Sequence, residues 1–150
     1  MPIWKQPVTV AELNAGLDST KQKTIHDALG IQFVAIGDDY LEATLPVDDR
    51  TKNPVGILHG GASVVLAESL GSIAAVLVAG PKDFICVGIE INASHLSSMS
   101  EGEVIGRATP IRLGKNLHVW SIEIRDRKDT SRLICQSRLT VMIKNRKELA

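Results

Sequence analysis

One carboxylate, Glu68, stands between residues 60 and 80 in a run whose other members are small, aliphatic or hydroxylic. An acid in such company calls for a reason, because an unpaired carboxylate in an apolar interior costs several kcal/mol or titrates upward. Work as an acid, base or nucleophile supplies that reason. Eight residues upstream, His59-Gly60-Gly61 opens the same predicted helix. Glycines there expose backbone N–H groups at the positive end of the helix and let a carbonyl approach closely. Together these groups meet the needs of acyl-group hydrolysis: an oxygen nucleophile or an activated water for the carbonyl carbon, and donors for the oxyanion. Ser72 lies four residues past Glu68 on the same helical face, where its hydroxyl can orient the carboxylate or the attacking water.

Helix geometry limits how these groups combine. At a rise of about 1.5 Å per residue, Gly60 and Glu68 stand about 12 Å apart, too far to act on one carbonyl carbon. Two chains are therefore expected to share each site across a twofold axis, Glu68 and Ser72 from one facing His59 and Gly60 from the other.

The elements that must position these residues follow from pattern and punctuation. Residues 9–17 and 21–29 read as short helices, with Thr9 as an N-cap and Gly30 ending the second, so residues 1–30 form an N-terminal helical segment. Residues 31–36 and 40–47 are strand-like around a turn at 37–39, and a polar loop at 48–54 delivers the chain to a central helix at 58–79. Four long strands follow, at 84–95, 103–113, 117–126 and 133–143, with bends expected at Gly88, Gly106 and Pro110. A curved antiparallel sheet wrapped around the one long helix covers both apolar faces most economically, an α+β architecture.

Composition bounds the rest. The 150 residues are 44% hydrophobic and 23% charged, sized for one domain over 1–150. Seventeen basic side chains balance seventeen acidic ones, so no nucleic-acid partner is expected. The apolar run after residue 60 is nearly long enough to span a bilayer. It is broken by Ser63, Glu68, Ser69 and Ser72, and the amphipathic strands after it need a core, so no membrane partner is expected either. No basic and then apolar leader opens the chain, and a cytoplasmic location is expected. Cys86 and Cys135 sit in apolar surroundings without metal or redox spacing, which predicts reduced core thiols and no metal. Trp120 reads as core or interface, Ser63 and Ser69 as packing positions, and His26 and His118 as surface positions.

The order of elements and particular strings resemble the hotdog-fold acyl-CoA thioesterases. The strings are Gly56-Ile57-Leu58-His59-Gly60-Gly61-Ala62-Ser63 with Ala67-Glu68-Ser69, Val87-Gly88-Ile89-Glu90-Ile91-Asn92-Ala93 with His95, and Ser137-Arg138-Leu139-Thr140. Within that family the chain is similar to the 4-hydroxybenzoyl-CoA thioesterase-like group that acts on 1,4-dihydroxy-2-naphthoyl-CoA or proofreads enterobactin synthesis. The resemblance implies hydrolysis of an aromatic or short acyl-CoA without a cofactor, coenzyme A being part of the substrate. It also implies a homodimer as the minimal unit, commonly in a homotetramer. Glu68 falls on the catalytic acid, as nucleophile or general base, Gly60 on the oxyanion donor with Gly61 beside it, His59 on the residue before it, and Ser72 on the hydroxyl below the acid. Substrate contacts are implied for Asn53 and Val55, and for His95 at the pocket mouth.

Three differences from relatives stand out: Asn53 replaces a Gln, Val55 replaces a Phe, and serines fill positions after His95 where relatives carry Arg. Phosphate contacts are thereby left to groups such as Arg107, Arg112 or Lys115, or to backbone amides. Two other functions fit the fold, a hydratase or dehydratase and a non-catalytic acyl-CoA binding module. The first needs a His and an acid at a different spacing, and replacement of Glu68 separates the second from an enzyme.

Overall fold

The computed structural model describes residues 1–18 and 22–149. Two short helices open it, α1 (Val10–Asp18) and α2 (Ile25–Leu29). Thr9 caps α1 reciprocally with Glu12, its Oγ1 accepting from the Glu12 N–H at 3.2 Å while the Glu12 carboxylate accepts from the Thr9 N–H at 2.7 Å. The expected start of the second helix at Lys21 lies outside the described residues. Its end at Gly30 is as expected, with φ 74°, a conformation glycine adopts without strain.

Strands β1 (Gln32–Ile36) and β2 (Leu41–Pro46) form a hairpin, and the chain then enters the long helix α3 (Gly60–Ala79). Strands β3 (Phe84–His95), β4 (Glu103–Leu113), β5 (Leu117–Asp126) and β6 (Leu133–Asn145) complete one antiparallel sheet in the order β1-β2-β4-β5-β6-β3. α3 packs against β2 through β6, and Leu66, Leu70, Trp120, Ile122 and Leu139 are fully buried between them. Although α3 is long and apolar enough to cross a membrane, half of it is buried by its own sheet.

Close contact explains two glycines. A Cβ at Gly106 would meet Leu70 Cδ1 at 2.6 Å, and one at Gly71 would meet Leu139 Cδ2 at 2.6 Å. The register runs evenly through Gly106, so no bulge marks it, and its glycine serves helix–sheet contact. The other two bends occur, as register shifts between Gly88 and Glu90 and between Pro110 and Arg112.

The two sheet edges differ. On β1, the Asn14 side chain donates to the Phe33 carbonyl at 2.9 Å and accepts from the Phe33 N–H at 3.0 Å, occupying the outward backbone groups as another strand would. On β3, the other edge, no further strand pairs among the described residues, and Val87 and Ile89 are 45% and 53% exposed.

His118 corrects the sequence reading. Its side chain is 4% exposed on the core side of β5, edge-on to Trp120 with ring centroids 6.3 Å apart. It lies there because β5 alternates, placing His118, Trp120, Ile122 and Ile124 on one buried face. Both cysteines are free as expected, and burial raises both thiol pKa values.

Two stability predictions follow from these contacts. Asn14→Ala removes both bonds to Phe33, and urea unfolding should show a loss of about 1–3 kcal/mol. Burial lowers the His118 pKa from 6.5, so the unfolded chain takes up a proton that the folded chain resists. That contribution is complete above about pH 6.5 and is lost as the pH falls. Denaturant midpoints at pH 7.5 and 5.5 should therefore differ more in the wild type than in His118→Phe.

Candidate active site

The start of α3 leaves one backbone donor free. His59 is the N-cap, in extended conformation (φ −68°, ψ 130°), and its Nδ1 accepts from the Gly61 N–H at 2.8 Å. The Ala62 and Ser63 N–H groups donate to the His59 carbonyl at 2.9 and 3.3 Å. Of the four N–H groups that open the helix, only that of Gly60 has no partner among the described residues. Gly61, expected beside it as a second contact, has its N–H taken by the cap.

Neighbouring loops fix this arrangement. The His59 N–H donates to the Thr51 carbonyl at 2.8 Å, and the buried Thr51 hydroxyl donates to the Pro46 carbonyl at 2.7 Å. From the end of β3, His95 lies directly over Gly60. A Cβ on Gly60 would sit 2.7 Å from His95 Nε2, so the absence of a side chain is what lets the ring approach the free N–H.

Gly60 and His95 open onto a cleft of about 390 Å³ lined also by Asn53, Ile57, Ser63 and Ser98. Asn53 is present, but its Oδ1 is spent on the loop, accepting from the Val55 and Ile57 N–H groups at 3.1 and 3.3 Å. Its shorter side chain thus becomes a loop brace, with Nδ2 lacking a partner among the described residues. Val55 does not line the cleft within this chain. It is 81% exposed at the loop tip, because the turn closed by Asn53 turns it outward.

The acid lies elsewhere. Glu68 is exposed, which corrects the expectation of a carboxylate inside an apolar interior. α3 buries Ala67, Ser69, Leu70 and Gly71 and leaves Glu68 exposed at the margin of the sheet, beside its edge strand β3. The carboxylate forms no ion pair or hydrogen bond among the described residues. It rests against bare backbone, since a Cβ on Gly88 would meet Glu68 Oε1 at 2.7 Å. Ser72 is half-buried one turn further along and makes no hydrogen bond to Glu68. One chain therefore holds the two groups apart: the Gly60 N–H with His95 at one end of α3, and Glu68 with Gly88 and Ser72 further along.

Other assignments are sorted by the structure. His26, expected at the surface, is half-buried, with Nε2 2.8 Å from Ser69 Oγ, and burial lowers its pKa. This contact docks α2 on the back of α3. Arg107 is committed to Glu42 at 2.7 Å and to the Tyr40 ring at 4.1 Å. Arg112 and Lys115 lie at the far end of the β4–β5 hairpin, whereas the cleft adjoins the end where His95, Cys135 and Ile124 align. Sequence reasoning missed the roles of Thr51 and Gly88. A threonine in a polar loop gives no signal, while Gly88 was visible only as a strand bend.

Known proteins share this fold. Residues 55–132 match the thioesterase superfamily. The chain is 51% identical over 141 residues to the 1,4-dihydroxy-2-naphthoyl-CoA hydrolase of Escherichia coli, covering 94% of this chain and 98% of that protein. It is 46% identical over 142 residues to the proofreading thioesterase EntH of Cronobacter turicensis, covering 94% and 98%. Among solved structures, a mutant thioesterase from Pseudomonas aeruginosa superposes with TM-score 0.88 at 43% identity, covering 95% of this chain and 99% of that one. A thioesterase from Haemophilus influenzae gives 0.87 at 44%, covering 95% of both.

His59→Ala should remove the cap on Gly61 and lower stability by about 0.5–2 kcal/mol in denaturant titrations. An unchanged midpoint would mean that the Nδ1 contact holds nothing in place.

Proposed function

The chain belongs to the thioesterase superfamily and is a hotdog-fold thioester hydrolase, and from that premise we propose that it cleaves an aromatic or short acyl-CoA at a site shared by two subunits. One observation carries the reading: the unpartnered Glu68 carboxylate lies against Gly88 of the open edge strand, while the unpartnered Gly60 N–H lies near His95 of that same strand. Antiparallel pairing of two β3 strands about a twofold axis brings the Gly88 half of one toward the His95 half of the other. Glu68 would then face the free N–H of Gly60 of the partner subunit. The exposure of Val87 and Ile89, and the blunting of the opposite edge by Asn14, support β3 as the edge that pairs.

In this arrangement the thioester oxygen accepts from the partner subunit's Gly60 N–H, and the electrons of the carbonyl move toward that donor. Glu68 supplies the attack, either by taking a proton from water or by adding to the carbonyl carbon itself and leaving water to cleave the resulting anhydride. A C–O bond forms, the C–S bond breaks, and the thiolate leaves and is protonated. Ser72 is placed to steer the carboxylate or the water, and His59 to hold the helix start so that the Gly60 donor stays aimed. Coenzyme A as the thiol is supported by the activity named for the E. coli relative, which also favours an aromatic acyl group. A homotetramer of two such pairs, working in the cytoplasm, is the assembly and setting the sequence implies.

Glu68→Gln should lower kcat for benzoyl-CoA about a thousandfold while coenzyme A still binds, as measured by steady-state assay and calorimetry. Near-normal turnover would remove Glu68 from the reaction. Single-turnover hydrolysis in ¹⁸O-water separates the two roles of Glu68, since only direct attack carries a carboxylate oxygen into the product.

A further inference from the structure

Ser63 carries a hydroxyl for which the fold finds no use. The residue is 1% exposed on α3, and its hydroxyl makes no hydrogen bond among the described residues. Three other buried hydroxyls are committed: Thr51 donates to the Pro46 carbonyl at 2.7 Å, Ser137 donates to the Asn92 carbonyl at 2.8 Å, and Ser69 pairs with His26 at 2.8 Å. A helical serine commonly turns to the carbonyl four residues back, but that of His59 already accepts from the Ala62 and Ser63 N–H groups. An unpaired hydroxyl inside a protein is destabilising, so an alanine would pack better at this position.

The hydroxyl is not walled in. Ser63 lies on the floor of the cleft of about 390 Å³ that holds the free Gly60 N–H, between the buried Leu58 and Ile134, while Leu96 and Ser98 form an exposed rim. One turn separates Ser63 from Gly60, about 4.5 Å along the axis. Helical side chains lean back toward the N-terminal end, so this hydroxyl is directed at the turn that carries the donor. Glu68, Ser72 and Gly88 do not line this cleft. With the carbonyl oxygen on Gly60 and attack coming from the partner subunit's Glu68, the cleft is left for the side of the thioester that departs.

We propose that Ser63 is a further catalytic residue, its hydroxyl donating a hydrogen bond to the thioester sulfur as the C–S bond breaks. The inference rests on the thioesterase reading above and deepens it. The electron pair of the C–S bond goes to sulfur, the Ser63 proton stays on its own oxygen, and the thiolate takes its proton from water after release. On an apolar floor a developing thiolate has few waters around it, so one directed donor counts for more there than in bulk solvent. Such a donor helps a poor leaving group most. An alkyl thiolate keeps its charge on sulfur and depends on the donor, whereas an aryl thiolate spreads its charge over the ring and depends on it little.

The test compares full-length wild type and Ser63→Ala on the benzoyl thioesters of coenzyme A, N-acetylcysteamine and thiophenol, with thiol release read as kcat/KM. On the two alkyl thioesters the variant should lose about thirtyfold, and on the thiophenyl ester less than about threefold. Its urea unfolding midpoint should stay level or rise, because the change removes an unpaired hydroxyl and leaves the packing intact. Equal losses on alkyl and aryl thioesters would overturn the assignment, and with a lower midpoint they would return Ser63 to a packing role. Unchanged turnover of all three would overturn it as well. A wild type inactive on every thioester removes the hydrolase reading and this one together, whereas an active wild type matched by Ser63→Ala removes this one alone.

Discussion

Eight residues of continuous α-helix separate the free N–H of Gly60 from the carboxylate of Glu68, and a helix holds that separation at about 12 Å. The donor and the acid are the two groups that could act on a carbonyl, and neither has another partner among the described residues. Everything else in the fold bears on how the gap is closed. The sheet grips α3 along the side carrying Leu66 and Leu70, so the helix cannot bend to bring its own ends together. It leaves Glu68 exposed at its margin, beside β3. In the proposed arrangement, closing the distance falls to a second copy of the same helix.

The sheet edges give that second copy a place. Asn14 fills the outward backbone groups of Phe33 in the middle of β1, which blunts that edge toward further strands. The twelve residues of β3 remain open along the other, and both groups touch this strand, Glu68 at Gly88 and Gly60 at His95. Edge-to-edge strand pairing through one usable edge joins two subunits, whereas two usable edges would allow an open-ended ribbon. The glycine at position 88 fits the same picture, since any side chain there would push the carboxylate off the strand.

Much of this was legible in the residues. The helical run, the long strands and the turns announce themselves through period, glycine and polar breaks, and their bounds lie within a few residues of those expected. The separation of Gly60 from Glu68 needed only the rise of a helix. What could not be read depends on neighbours distant in sequence. Gly106 looks like a bend and is a contact for Leu70; His118 looks like a surface residue on a strand and faces the core. Asn53 has the chemistry of a substrate contact, yet its oxygen is used up by its own loop, and Val55 is turned outward by the same turn. Glu68 is the most instructive case. Its apolar sequence neighbours suggested burial, but those neighbours are buried on other sides of the helix, and the acid faces the surface of the single chain.

The sharing of the site between subunits is tested most directly by mixing two inactive variants. Glu68→Gln lacks the acid, and Gly60→Pro lacks the donor and displaces His95 beside it while keeping the helix, because proline is well tolerated at the first helical position. Each homodimer should be inactive. After subunit exchange, half of the pairs are mixed and each mixed pair holds one intact site, so about a quarter of the wild-type rate should return. A mixture that exchanges subunits, as followed by differently tagged chains, and stays as inactive as its components would show that donor and acid act within one chain.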